Sequence, residues 1–90
     1  MYIWDPQKSA ANKRKHGISF EEARDSIFEG KNIVAVDVAY SKGETRHAVI
    51  GKFGGKYYAG IFTIHTGGVR IISVRRARDE EARHAKDRGL

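Results

Sequence analysis

Apolar residues alternate with other residues through most of the second half of the chain. Val, Ile, Tyr and Phe recur in this way in residues 32–40, 46–52, 56–64 and 69–77, and turns that contain glycine separate these blocks. Such a pattern predicts β-strands joined by tight connections. Because short connections place successive strands side by side in opposite directions, we expect the middle of the chain to form an antiparallel meander.

A short apolar strand and then a polar helix are predicted at the start of the chain. Residues 1–4 have the strand composition, and Asp5 followed by Pro6 is typical of a helix N-cap and first turn. Gly17 is a typical C-cap, so the helix covers residues 6–16. Its only apolar residues between the caps are two alanines, so contacts other than a broad apolar face must hold it in place.

A second helix and a final helix complete the predicted elements. Ser19 and Glu22 form a capping box, and Gly30 ends this second helix. Residues 79–88 predict a last helix with an acidic first turn and only two alanines to bury, so its position is left open. The apolar stripe of the second helix consists of Phe20, Ala23, Ile27 and Phe28.

The predicted fold is a single α+β domain over residues 1–90, with two N-terminal helices packed on a small antiparallel sheet and a C-terminal helix. Its charge points to a polyanionic partner, since 17 Lys and Arg residues outnumber 11 Asp and Glu residues and give a net charge of +6. Nucleic acid fits this balance best. We expect no membrane association, because neither a spanning segment nor a leader sequence is visible, and the lack of cysteine suits a cytoplasmic protein.

The last strand ends in a cluster of arginines. A side-chain period of two places Arg70 and Arg76 on one face of the strand and Arg75 on the other. Guanidinium groups held rigidly in this way are suited to clamp a phosphate. The alternative interpretation is an edge strand whose solvated arginines only prevent pairing with other chains.

Further charged residues supply groups for acid–base chemistry. RNA cleavage without a metal needs a base for the 2′-OH, cations for the phosphorane and an acid for the leaving oxygen. Glu44 and Arg46 follow a predicted turn, and Lys8, Lys15 and His16 lie on the first helix. Alternatively, Glu44 forms only a surface ion pair, and His16 is only a charged residue at a helix end.

The pattern does not predict a metal or a cofactor. The four histidines are scattered, and none belongs to a pair with metal-ligand spacing. The paired glycines lie in hairpin contexts, without the helix that follows a phosphate-binding loop. We therefore expect chemistry carried by side chains alone.

Four sequence blocks, in order, carry a family resemblance. They are WDPQK from Trp4, N-x-x-KHGISF from Asn12, GETR from Gly43, and RIISVRRA-x-x-x-E from Arg70 to Glu81. With these blocks the chain resembles the BrnT toxins of bacterial type II toxin–antitoxin systems. The resemblance implies a RelE-like fold, ribonuclease activity that arrests growth, and a BrnA antitoxin that neutralises the toxin and binds operator DNA. It also implies functional roles for Lys8, Glu44, Arg46, Arg70 and Arg76, with Lys15, His16 and Arg75 left as RNA-binding candidates.

One position departs from the family pattern, and two other functions remain open. The family usually carries a tyrosine soon after the glutamate of the last block, where this chain has His84. A basic module that grips RNA or the ribosome without cutting it would need the same positive surface, and so would a face that only holds an acidic antitoxin. Glu44 separates these possibilities, because a phosphate-binding surface has no use for a carboxylate among its arginines.

Overall fold

The computed structural model describes residues 1–34 and 39–90. In chain order, the elements are β1 (Tyr2–Ile3), α1 (Pro6–His16), α2 (Phe20–Ala23), a π-helical segment (Arg24–Phe28), β2 (Asn32–Val34), β3 (Ala39–Ser41), β4 (Glu44–Phe53), β5 (Lys56–His65), β6 (Gly68–Arg76) and α3 (Asp79–Asp87). The chain is an α+β protein, as its sequence predicts.

The strands form one mixed sheet. Its order is β1, β6, β5, β4, β2, and β3 also pairs with β4. The antiparallel pairs from β4 to β6 confirm the meander. β1, however, runs parallel to β6, with Tyr2 beside Val69, so the prediction of a wholly antiparallel sheet is wrong. That prediction came from the lengths of connections, which carry no information about a pair formed by the first and last strands.

The strand predicted for residues 32–40 corresponds to two short strands. β2 and β3 both pair antiparallel with β4, and residues 35–38 lie outside the described part of the chain. Lys42 and Gly43 then take positive φ angles of 52° and 79°, as in the hairpin turn that suits strand twist. β4 begins directly after this turn, at Glu44, two residues earlier than predicted.

Both predicted ends of α1 are confirmed. The Asp5 side chain accepts a hydrogen bond of 2.8 Å from the backbone N–H of Gln7. Gly17 adopts a φ of 80°, and its N–H donates to the Lys13 carbonyl. These are local contacts between residues close in sequence, which is why the sequence alone was sufficient to predict them.

Two buried polar side chains hold α1 in place. Asn12 donates to the carbonyls of Ile18 and Val74, both at 2.8 Å, and accepts from the Val74 N–H at 3.2 Å. The Ser9 hydroxyl accepts from the N–H of Phe20. Asn12 thus pairs with the backbone of β6 at a position that β1 does not reach. The expectation that α1 is held by something other than an apolar face is confirmed.

The main core lies between the sheet and the first two helices. Phe20, Ala23 and Ile27 of the predicted stripe are almost fully buried, and they pack with Ile71 and Val74 of β6. The capping box of the second helix is confirmed. Regular α-helix nevertheless ends at Ala23 and continues with π-helical hydrogen bonds to residue 28.

α3 packs on the opposite face of the sheet. Ala85 is fully buried there against Ile50 and Ala59. Arg75 of β6 makes two hydrogen bonds to Glu81, which ties the helix to the sheet. The chain itself therefore orders this polar helix. Like the other described helices, α3 is too short and too polar to cross a membrane.

Candidate active site

Glu44 and Arg46 project from the α3 side of β4. Their spacing of two residues places both side chains on one face of the strand. The neighbouring His47 stacks on Phe62, which packs against the main core on the other face. Because alternate residues point to opposite faces, Glu44 and Arg46 lie on the side away from the first two helices. The sheet, and not a mobile loop, fixes the Glu44 carboxylate.

Arg70 completes this group from β6. Its Nη2 donates to both carboxylate oxygens of Glu44, at 2.9 and 2.8 Å, and Arg46 Nη2 lies 3.6 Å from Oε1. The side chains of Glu44, Arg46 and Arg70 are 31%, 27% and 37% exposed, so a ligand can reach all three. We call these three residues the carboxylate–arginine cluster. The sequence predicted each member, and the structure brings them together.

Thr63 is a neighbour of the cluster that the sequence analysis did not identify. It is the cross-strand partner of Arg70 on β5, the strand that separates β4 from β6. Its side chain is 5% exposed, and its hydroxyl donates to the Thr45 carbonyl at 3.0 Å. The residue therefore supports the floor between the two arginines. Its position in the alternating pattern of β5 was visible in the sequence, but a threonine carries no charge to indicate a site.

Arg46 has a buried polar atom without a partner. Its Nε is shielded from solvent and makes no hydrogen bond to any residue in the described ranges 1–34 and 39–90. Such a group costs about 1–3 kcal/mol when it is left unpaired. The protein thus tolerates an unfavourable arrangement that holds this guanidinium group against the sheet beside Glu44.

Lys8 shares a cleft with Arg70. The cleft has a volume of about 400 Å³ and lies at the edge of the sheet, where β1 ends and α1 begins. Its lining residues are Ile3, Trp4, Asp5, Lys8, Arg70, Ile71 and Ile72. The predicted grouping of Lys8 with the arginines is thus found for Arg70.

Arg76 does not share a face with Arg70, contrary to the prediction. Arg70 pairs with Thr63 of β5 and Arg76 pairs with Tyr58, and these partners are five positions apart. An odd separation places them on opposite faces of the sheet. The register shift leaves Ile72 as an extra residue in β6, and this β-bulge reverses the alternation after it. The two arginines also lie about 20 Å apart along the strand, at about 3.3 Å per residue.

Arg76 instead lies at the far end of α1. Its guanidinium carbon is 5.6 Å from the centre of the Tyr58 ring, a cation–π arrangement. The Tyr58 hydroxyl donates to the carbonyl of His16, the last residue of α1, at 3.4 Å. His16 and the exposed Lys15 thus belong to the same region as Arg76. The predicted residues form two groups, one at each end of β6.

Arg75 is engaged by α3. Its two terminal nitrogens donate to the two carboxylate oxygens of Glu81 at 2.8 and 3.0 Å. This hydrogen bonding raises the pKa of Arg75 and lowers the pKa of Glu81. The structure therefore places Arg75, an RNA-binding candidate from sequence, in a contact that docks a helix.

The described residues offer little to a metal ion. Within residues 1–34 and 39–90, no three His, Cys, Asp or Glu side chains are grouped so that they could hold one. Glu44 is instead surrounded by cations, whose charge opposes the binding of another cation. The donor set of the cluster is suited to an anion such as phosphate.

Comparison with known proteins gives one match. The family model described as "ribonuclease toxin, BrnT, of type II toxin-antitoxin system" matches residues 4–81, nearly the whole chain. No curated protein and no solved structure matched. The matched range contains the entire carboxylate–arginine cluster, the cleft residue Lys8 and the second group around Arg76. The chain therefore belongs to the BrnT family of ribonuclease toxins of type II toxin–antitoxin systems.

Proposed function

We propose that this protein is an endoribonuclease that cleaves RNA with its carboxylate–arginine cluster and without a metal ion. The observation that supports this proposal is the position of Glu44, whose accessible carboxylate lies between two guanidinium groups. A surface that only binds phosphate is weakened by a negative charge at that point. A general base, in contrast, must lie close to the phosphate that its substrate carries.

Glu44 is the base in the proposed reaction. A carboxylate has about four lone-pair sites, and Arg70 occupies only two of them, so a ribose 2′-OH can still donate to it. Glu44 takes the 2′-OH proton while the 2′ oxygen attacks the adjacent phosphorus. The bond to the 5′ oxygen then breaks, which leaves a 2′,3′-cyclic phosphate and a 5′-OH.

Arg46 and Arg70 stabilise the charge that develops on the phosphorane oxygens. Fixed donors of this kind typically contribute about 2.7–4 kcal/mol each to transition-state stabilisation. Lys8, in the cleft beside Arg70, is the acid that gives a proton to the departing 5′ oxygen. Arg76, Lys15 and His16 lie too far along β6 for a part in this step, so we assign them to RNA binding.

Cleavage of purified RNA in the presence of EDTA tests the metal-free mechanism. We expect full activity with chelator, and products with cyclic phosphate and 5′-OH ends. The matched control variant is Glu80→Gln, which removes an exposed carboxylate from α3 and should cleave like the parent protein. Activity that disappears with EDTA and returns with a divalent cation would contradict the proposal.

We further propose that the cleavage arrests growth in the cytoplasm and that a BrnA-like antitoxin neutralises it. Membership of a type II toxin–antitoxin family supports a protein antitoxin as partner. Operator DNA would be contacted only through the complex with that antitoxin. Induced expression with and without a co-expressed BrnA-like protein tests this, since growth should stop only in its absence.

A further inference from the structure

We infer that the substrate is an extended single strand of RNA that follows the outside of α1 from the carboxylate–arginine cluster to Arg76. This inference rests on the proposed ribonuclease function and specifies where nucleotides beyond the cleaved bond are held. It assigns a role to the second group of basic residues, which the chemistry itself does not use.

α1 runs beside β6 and connects the two groups. At its first turn, Lys8 shares the cleft with Arg70. At its last turn, the carbonyl of His16 accepts a hydrogen bond from Tyr58, and the guanidinium group of Arg76 lies over the Tyr58 ring. A strand that leaves the cluster along this helix therefore ends beside Arg76.

Two exposed lysines lie along this path. Lys8 and Lys15 are seven residues apart, nearly two helical turns, so they project from one side of α1 about 10.5 Å apart. Asn12 lies four residues after the first and three before the second, and its side chain pairs with Val74 of β6. Both lysines therefore flank the edge of β6. We call Arg70, Lys8, Lys15 and Arg76 the basic track.

The geometry of the basic track favours a single strand over a duplex. Because of the bulge in β6, Arg70 and Arg76 project to opposite faces of the sheet, so the ligand must pass around the sheet edge. A double helix is too stiff to turn within about 20 Å, whereas a single strand can. This distance matches about six nucleotides at a stacked spacing of about 3.4 Å, and fewer if the strand is extended.

Cleavage of RNAs of increasing length tests the inference. We expect kcat/KM to rise from a dinucleotide to RNAs of about four to six nucleotides and then to level off. Arg76→Gln and Lys15→Gln should lower kcat/KM more for a long RNA than for the dinucleotide. The controls Arg83→Gln and Lys86→Gln remove equal charges from exposed positions of α3. A dinucleotide cleaved as efficiently as the long RNA would overturn the basic track.

Binding of a 2′-O-methyl RNA, which cannot be cleaved, separates this inference from the ribonuclease proposal. The slope of log affinity against log salt should fall by about 0.7 for each lost contact in Arg76→Gln and Lys15→Gln. Changes no larger than those of the α3 controls, or equal affinity for a duplex, would overturn the inference. If these slopes change as expected while no RNA of any length is cleaved, the basic track stands and the ribonuclease proposal fails.

Discussion

Replacement of Glu44 by glutamine removes the charge of the proposed base and preserves its shape. The glutamine oxygen can still accept a hydrogen bond from Arg70 Nη2, but it cannot take a proton from a 2′-OH at neutral pH. The ion pairs that are lost are about one third exposed, so the free energy of unfolding should change by less than about 1 kcal/mol. The substitution thus changes the chemistry of the cluster and leaves the fold intact.

The expected effect on cleavage is large, and the effect on binding has the opposite sign. A positioned general base typically accelerates a reaction about 10²–10⁴-fold, which is roughly 3–5 kcal/mol of activation free energy. Without the carboxylate, Arg46 and Arg70 no longer share their charge with a counterion. RNA should therefore bind at least as tightly to Glu44→Gln as to the parent protein.

Both quantities should be measured on the same preparations, as RNA affinity at fixed salt and as single-turnover cleavage. Glu80→Gln is the matched control and should leave both unchanged, since Glu80 is exposed on α3, away from the cluster. Parental cleavage by Glu44→Gln would refute the assignment of a base. Equal losses of binding and cleavage would show instead that the carboxylate only orients Arg70.

Three more predictions follow from other contacts. Arg70→Ala should lose about 2–4 kcal/mol of transition-state stabilisation and no longer arrest growth; arrest at equal expression would place the phosphate clamp elsewhere. Asn12→Ala should lower the free energy of unfolding by roughly 2–4 kcal/mol, measured by urea denaturation, because it leaves backbone groups of β6 unpaired; a loss below about 1 kcal/mol would contradict this. Since hydrogen bonding by Arg75 lowers the pKa of Glu81, the contact should stabilise the protein at neutral pH and lose this effect as the pH falls below the ordinary value of about 4.3 through the lowered pKa. The difference in stability between the parent and Glu81→Gln should shrink over that range, and a difference independent of pH would show that the pair is not what docks α3.

Local signals in the sequence predicted local structure, and contacts between distant residues set the rest. The ends of α1 followed from Asp5 and Gly17, because each cap bonds to residues within one turn. The face of Arg76 did not follow, because the bulge at Ile72 exists only in the pairing of β6 with β5. The parallel pairing of β1 with β6 was hidden for the same reason. For the site, residue types identified the members of the cluster, but only tertiary structure shows that Arg76 lies apart from them.

The contact of Asn12 with Val74 joins residues 62 positions apart in the chain. During synthesis, α1 leaves the ribosome long before the strand that its asparagine must meet. Arg70, in that same last strand, also reaches Glu44 only once β6 is in place. An incomplete nascent chain therefore has neither a settled first helix nor an assembled cluster. A toxin with this topology becomes dangerous to the cell only near the end of its own translation, when an antitoxin can already be present to capture it.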